Sequence, residues 1–117
     1  MDVRSETYHI TYDPTAAIVA FHGVMRLLGV KDYERVKQLM DSVVATAPDS
    51  LTLDLRSLRF VNSLGMYLLM GFILSMRDKT NSQVIVQGVE GNYWQARTFR
   101  DLKRLMPRLR LEWEATS

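Results

Sequence analysis

The chain has 117 residues, 47% of them hydrophobic, with 15 Lys and Arg against 13 Asp and Glu, two His and no Cys. That length predicts one domain with a core that needs neither disulfide nor metal staples. The lack of cysteine excludes disulfide frameworks, thiolate zinc sites, iron–sulfur clusters and cysteine nucleophiles. Two histidines leave little for a histidine metal site or a histidine-activated nucleophile, and a net charge of +2 does not by itself imply a nucleic-acid partner.

The first residues, Met1 to Glu6, carry acids and lack the basic and apolar regions of a secretory signal. The longest apolar run, Leu64 to Leu74, falls short of a membrane span. A cytoplasmic protein without membrane insertion is the expectation. From Tyr8 to Asp13, Tyr8, Ile10 and Tyr12 alternate with His9 and Thr11, and after Asp13, Pro14 and Thr15 a second strand extends from Ala16 to Gly23 as a hairpin partner. Asp32 then stands where it can cap a helix carrying Val36, Leu39, Met40, Val43, Val44 and Ala47 at helical spacing.

A strand Leu51 to Arg56, a helix from about Ser63 to Arg77, a strand Gln83 to Gln87, a helix Tyr93 to Met106 and a strand Leu109 to Glu114 complete the chain. Helices between short strands require crossovers, so the expected fold is a single α/β domain over residues 1–117 with a mixed, mostly parallel sheet of about five strands. Leu51, Leu53 and Leu55 alternate with Thr52, Asp54 and Arg56, which places the helices mainly on one face.

No phosphate-binding loop is present; the run Gly88 to Gly91 lacks a lysine and holds Glu90, so it reads as a turn, and Asn92 with Gln95 resembles a capping box. His9 and His22 have no acid at dyad spacing. Asp54 lies near the expected carboxyl end of a central strand, where ligands of open sheets gather, or serves as an acid on the wetter face. No nucleophile with its base, no paired acids and no metal set can be named, so neither an enzyme nor a cofactor or metal is expected.

Asn62 and Ser63 open the second helix, with Asn62 a favoured N-cap and Ser63 at the positive end of the helix dipole, where a phosphate would be tolerated. Such a pair is also an ordinary cap. On that helix Gly65, Leu68, Leu69, Phe72, Ile73 and Met76 form one buried face, leaving Met66, Tyr67, Met70 and Leu74 on the other side, either as a contact surface or covered within the domain. Arg97, Arg100, Arg104 and Arg108 recur along the last helix as a solvated face or a docking surface for an acidic partner.

The run Leu53-Asp54-Leu55-Arg56-Ser57-Leu58-Arg59-Phe60-Val61-Asn62-Ser63-Leu64-Gly65-Met66, with Ala20 to Gly23 closing the second strand, resembles the STAS domain and, more narrowly, bacterial anti-sigma factor antagonists. Their signature reads Asp-Ser-Ser-Gly-Leu at the start of a helix. The resemblance implies a non-enzymatic signalling module that binds a serine kinase acting as anti-sigma factor and is released by phosphorylation. By position the phosphoacceptor is Ser63, Gly65 is the signature glycine and Met66 stands for the leucine. Asn62 replaces the aspartate and Leu64 the second serine. Asn62, Ser63, Leu64, Gly65, Met66, Tyr67, Met70 and Leu74 are thus the expected partner-binding residues. The two departures leave open a STAS-like subunit or scaffold of a transporter or sensor assembly that is never phosphorylated, and a small-ligand site near Asp54 and Ser63.

Overall fold

The computed structural model describes residues 1–116. In chain order the elements are β1 (Asp2–Arg4), β2 (Tyr8–Asp13), β3 (Ile18–Met25), α1 (Gly29–Thr46), β4 (Ser50–Val61), α2 (Ser63–Lys79), β5 (Gln83–Val89), α3 (Tyr93–Leu105) and β6 (Arg110–Glu114). The strands form one sheet in sequence order, antiparallel from β1 to β3 and parallel from β3 to β6. Each parallel crossover moves one place in the same direction, and because such crossovers are right-handed all three helices fall on one face. The alternation of the strands matches that layer: Leu51, Leu53, Leu55, Val84 and Val86 are fully buried under it, while Thr52, Asp54, Ile85 and Gln87 remain half-exposed on the far face.

The sheet has six strands where about five were expected. The extra one, β1, is three residues long with only Val3 buried, too little pattern to announce a strand. β3 begins at Ile18, not Ala16, because Asp13 accepts hydrogen bonds from the Thr15 and Ala16 amides at 3.0 and 3.2 Å and holds the chain in a turn through Ala17. β4 does not stop at Arg56 but runs to Val61; its pairing with β3 shifts between Ala20 and His22 and again between Gly23 and Val24. Each shift adds a residue to β4, so its buried positions change from Leu51, Leu53 and Leu55 to Leu58 and Val61.

α1 starts at Gly29, ahead of the cap expected at Asp32. Asp32 lies inside the first turn and its carboxylate accepts from the Leu28 amide at 2.9 Å, serving the same orphan donors from one turn further on. Ala47, expected on the apolar face of α1, lies just past its end in a left-handed conformation before Pro48. α2 occupies the centre of the helix layer, with neighbours α1 and α3 on either side. Its buried residues are Gly65, Leu68, Leu69, Phe72, Ile73 and Met76, the face the spacing predicts. The carboxyl end of α2 is closed by Arg108, whose guanidinium donates to the carbonyls of Met76, Thr80 and Ser82 at 3.3, 2.9 and 3.4 Å. Arg108 therefore leaves the arginine stripe of α3, in which Arg97, Arg100 and Arg104 are exposed.

Candidate site at the start of the central helix

The end of β4 delivers Val61 into the core and Asn62 into the N-cap of α2. The Asn62 Oδ1 accepts from the Gly65 amide at 3.0 Å, the usual cap bond. The same oxygen accepts from the Leu27 amide at 3.3 Å, and Nδ2 donates to the Leu27 carbonyl at 2.9 Å. The carboxamide thus pairs with Leu27 as a strand neighbour would, and ties the β3–α1 loop to the first turn of α2. An aspartate could make the two accepting contacts but would turn an oxygen toward the Leu27 carbonyl. The amide at this position has its own structural use.

Gly65 is buried in the first turn, where a Cβ would lie 2.6 Å from the Val61 side chain and 3.0 Å from the Met25 methyl. The first turn carries no acidic residue. Ser63 is exposed at its first position, at the positive end of the helix dipole. Beside it lies a hollow of about 370 Å³ lined by Val61, Asn62, Ser63, Met66, Tyr67 and Met70.

The expected outer residues of α2 differ in exposure. Tyr67 is 66% exposed and sits 6.4 Å, ring to ring, from Tyr33 of α1. Leu64, Met66 and Met70 are half-buried and pack against the core, with Met66 sulfur 3.5 Å from the Thr98 hydroxyl of α3; Leu74 is half-buried too. Being the middle helix, α2 needs apolar residues on three sides.

Four exposed apolar residues near this end of the sheet carry no signal in the helical spacing: Leu28 and Val30 before and within the first turn of α1, Phe60 at the end of β4, and Tyr93 at the start of α3. Leu28, Val30 and Tyr93 follow the carboxyl ends of parallel strands and Phe60 lies at one, so they emerge at the same end of the sheet as Ser63. The Arg26 guanidinium stands 5.2 Å from the centre of the Phe60 ring. The unbroken run Leu27, Leu28, Gly29, Val30, apolar yet outside any alternation, is the trace they leave in the sequence.

The remaining candidates lie elsewhere. Asp54 is mid-strand on the open face, because β4 continues to Val61, and is not at a carboxyl end beside Ser63. Arg56 donates to both its oxygens at 2.9 and 3.0 Å and holds its carboxyl below the usual carboxylate range, against a smaller opposing effect of burial. With that guanidinium in place the carboxylate is an internal partner. His9 and His22 face each other across β2 and β3 with ring centres 6.2 Å apart, and His9 meets Asp2 at 3.1 Å. Among the described residues no group of three or more metal-ligating side chains could hold a metal ion, and no helix is long and apolar enough to cross a membrane. Glu90 and Gly91 form the turn expected there, but Gln95 completes no capping box. Its amide N–H is capped by Asn92 at 3.2 Å, while its own side chain accepts from Val89 N–H at 2.8 Å and donates to Leu55 carbonyl at 2.7 Å.

A mixed sheet of sequential strands, helices on one face and a capped central helix after the fourth strand together make a STAS-like, SpoIIAA-like fold. The chain resembles the crystal structure of an anti-sigma factor antagonist from Mycobacterium paratuberculosis with a TM-score of 0.62 at 16% identity, over 93% of this chain and 88% of that chain. It also resembles an uncharacterized protein of the DUF3478 family with a SpoIIAA-like fold from Shewanella loihica PV-4, with a TM-score of 0.58 at 18% identity over 97% and 90% of the two chains. No protein-family model and no curated protein matches the sequence. At these identities the likeness is one of fold.

Proposed function

We propose that this protein is a cytoplasmic, non-enzymatic regulatory module of the anti-sigma factor antagonist type, which binds a serine kinase acting as anti-sigma factor through the start of α2 and is switched by phosphorylation of Ser63. The observation that carries the reading is the exposed Ser63 at the first residue of α2, beside an apolar hollow that the exposed Tyr67 also lines. A phosphate there adds about −1.5 to −2 charge at a helix end that accommodates anions, so α2 stays folded. The same charge sits against Met66, Tyr67 and Met70, where an apolar partner surface would have to desolvate it, and the complex dissociates.

The test is incubation with ATP and the serine kinase encoded nearest this protein, followed by mapping of phosphate by mass spectrometry. Label on Ser63 that disappears in Ser63→Ala supports the switch; no label, or label that survives Ser63→Ala, sinks it. The contact surface has its own test: Tyr67→Ala should weaken the complex about tenfold or more, as loss of an exposed aromatic anchor does. The thermal midpoint should stay within a few degrees.

A constitutive scaffold role is the second reading, and Asn62 favours it: the side chain standing where the resemblance has an aspartate is occupied by Leu27. A large complex in native lysate that ATP does not dissociate, and that Ser63→Asp leaves intact, would select the scaffold over the switch.

A further inference from the structure

The open face of the sheet brings together the only two imidazoles of the chain. Tyr8, Ile10 and Phe21 are buried in the core, so the alternation of β2 and β3 sends His9 and His22 to the face that no helix covers. The two are direct partners in the antiparallel ladder, where opposed Cβ atoms stand about 5 Å apart, and their ring centres are 6.2 Å from each other. The strands are held closely beside them. The Val24 amide donates to the Thr7 carbonyl at 2.8 Å, and a Cβ on Gly23, at φ +92°, would collide with that carbonyl. The pair therefore rests on a rigid piece of sheet, although the linear sequence keeps its members apart.

His9 has a further attribute of a metal ligand. Asp2 of β1 lies 3.1 Å from its Nε2. A carboxylate only accepts, so in the neutral ring it fixes the proton on Nε2 and leaves the lone pair on Nδ1. Metal-bound histidines are oriented in the same way, by a carboxylate on the ring nitrogen that does not bind. Two imidazoles on one tetrahedral ion, at about 2.0–2.1 Å per nitrogen, have ring centres about 5 Å apart, so side-chain rotation has to bring these rings closer by only about 1 Å. Arg4 and Glu6 line the same shallow hollow, and with Asp2 the surroundings hold two carboxylates against one guanidinium. Imidazole donors suit zinc, copper and nickel over magnesium and calcium.

We infer that His9 and His22 form a surface site for a divalent transition-metal ion, bound through Nδ1 of His9 and one ring nitrogen of His22. Asp2 orients His9, and water fills the remaining positions. The ion clasps β2 to β3 on the face of the sheet opposite α2, so the site does not depend on the Ser63 switch.

Zinc would be titrated into the untagged chain at neutral pH by calorimetry, with magnesium as the control and the ring nitrogens followed by NMR. One saturable zinc site per chain is expected, with shifts at Nδ1 of His9 and at one nitrogen of His22, and no response to magnesium. His9→Ala and His22→Ala should each weaken zinc at least tenfold, while the metal-free thermal midpoint stays within a few degrees of the parent. Asp2→Asn should weaken it about tenfold with both rings still bound. Saturating zinc should raise the thermal midpoint of the parent and of neither histidine variant. Absence of saturable zinc binding, full affinity in either histidine variant, or a shift confined to one ring would each overturn the site; unchanged affinity in Asp2→Asn would overturn the role given to Asp2.

Discussion

α2 and α3 begin in the same way and are anchored differently. Asn62 and Asn92 each accept from the amide three residues on, at 3.0 and 3.2 Å. At α2 the cap itself reaches out, pairing with both backbone groups of Leu27, and the residue in the third position is Gly65, buried against Val61 and Met25. At α3 the cap does nothing further, and the third position holds Gln95, fully buried, whose side chain bonds Val89 and Leu55. One helix start is fastened by half-buried bonds to Leu27 in the β3–α1 loop, the other by a fully buried side chain to two strands. A fully buried amide fixes α3, while the half-buried Asn62 clamp couples α2 to a loop whose next residue, Leu28, is exposed.

That contrast can be broken by removing the anchors in turn, with urea unfolding as the measurement. Gln95→Ala should cost most, about 3 kcal/mol, because it leaves the Val89 amide and Leu55 carbonyl without their partner and opens a cavity. Asn62→Ala should cost about 2 kcal/mol, the cap together with the Leu27 pairing. Asn62→Asp, which keeps the accepting oxygen but sets a second oxygen against the Leu27 carbonyl, should fall between Asn62→Ala and the parent. Asn92→Ala should cost about 1 kcal/mol, a cap and no more; equal losses for Asn62→Ala and Asn92→Ala would show that the clamp contributes nothing.

The smallest effect lies on the open face of the sheet. Arg56 lowers the Asp54 carboxyl below its unfolded value, so the pair stabilises the fold above the ordinary carboxylate range and this contribution is lost as pH falls through the lowered value. Asp54→Asn should flatten the acid limb of the stability curve below about pH 4 and shift stability at neutral pH by less than about 1 kcal/mol, since the pair is partly exposed.

Much of this was legible in the chain because period two and period three-and-a-half patterns are local. The sheet-facing side of α2 and the alternation of Leu51, Leu53 and Leu55 are cases in point. What was lost was irregular or distant. The two register shifts against β3 change the buried period of β4, which hid the stretch from Ser57 to Val61 and put Asp54 too near the strand's end. Asn62 could be read as a cap, but its pairing with Leu27, 35 positions away, has no local signature. Arg108 continued a stripe in the sequence and in space closes α2, since the helix ends before it and the chain turns back toward Thr80.

The two outer strands of the sheet bear on how this molecule meets others. β1 is three residues long and places Asp2 and Arg4 on either side of Val3, and β6 is five residues long with Arg110, Glu112 and Glu114 along it. Short, charged borders are poor templates for a further strand, and proteins use them to prevent sheets from joining edge to edge. Sheet extension, the least selective way for a β protein to associate, is thereby discouraged at both borders, and recognition falls to side chains.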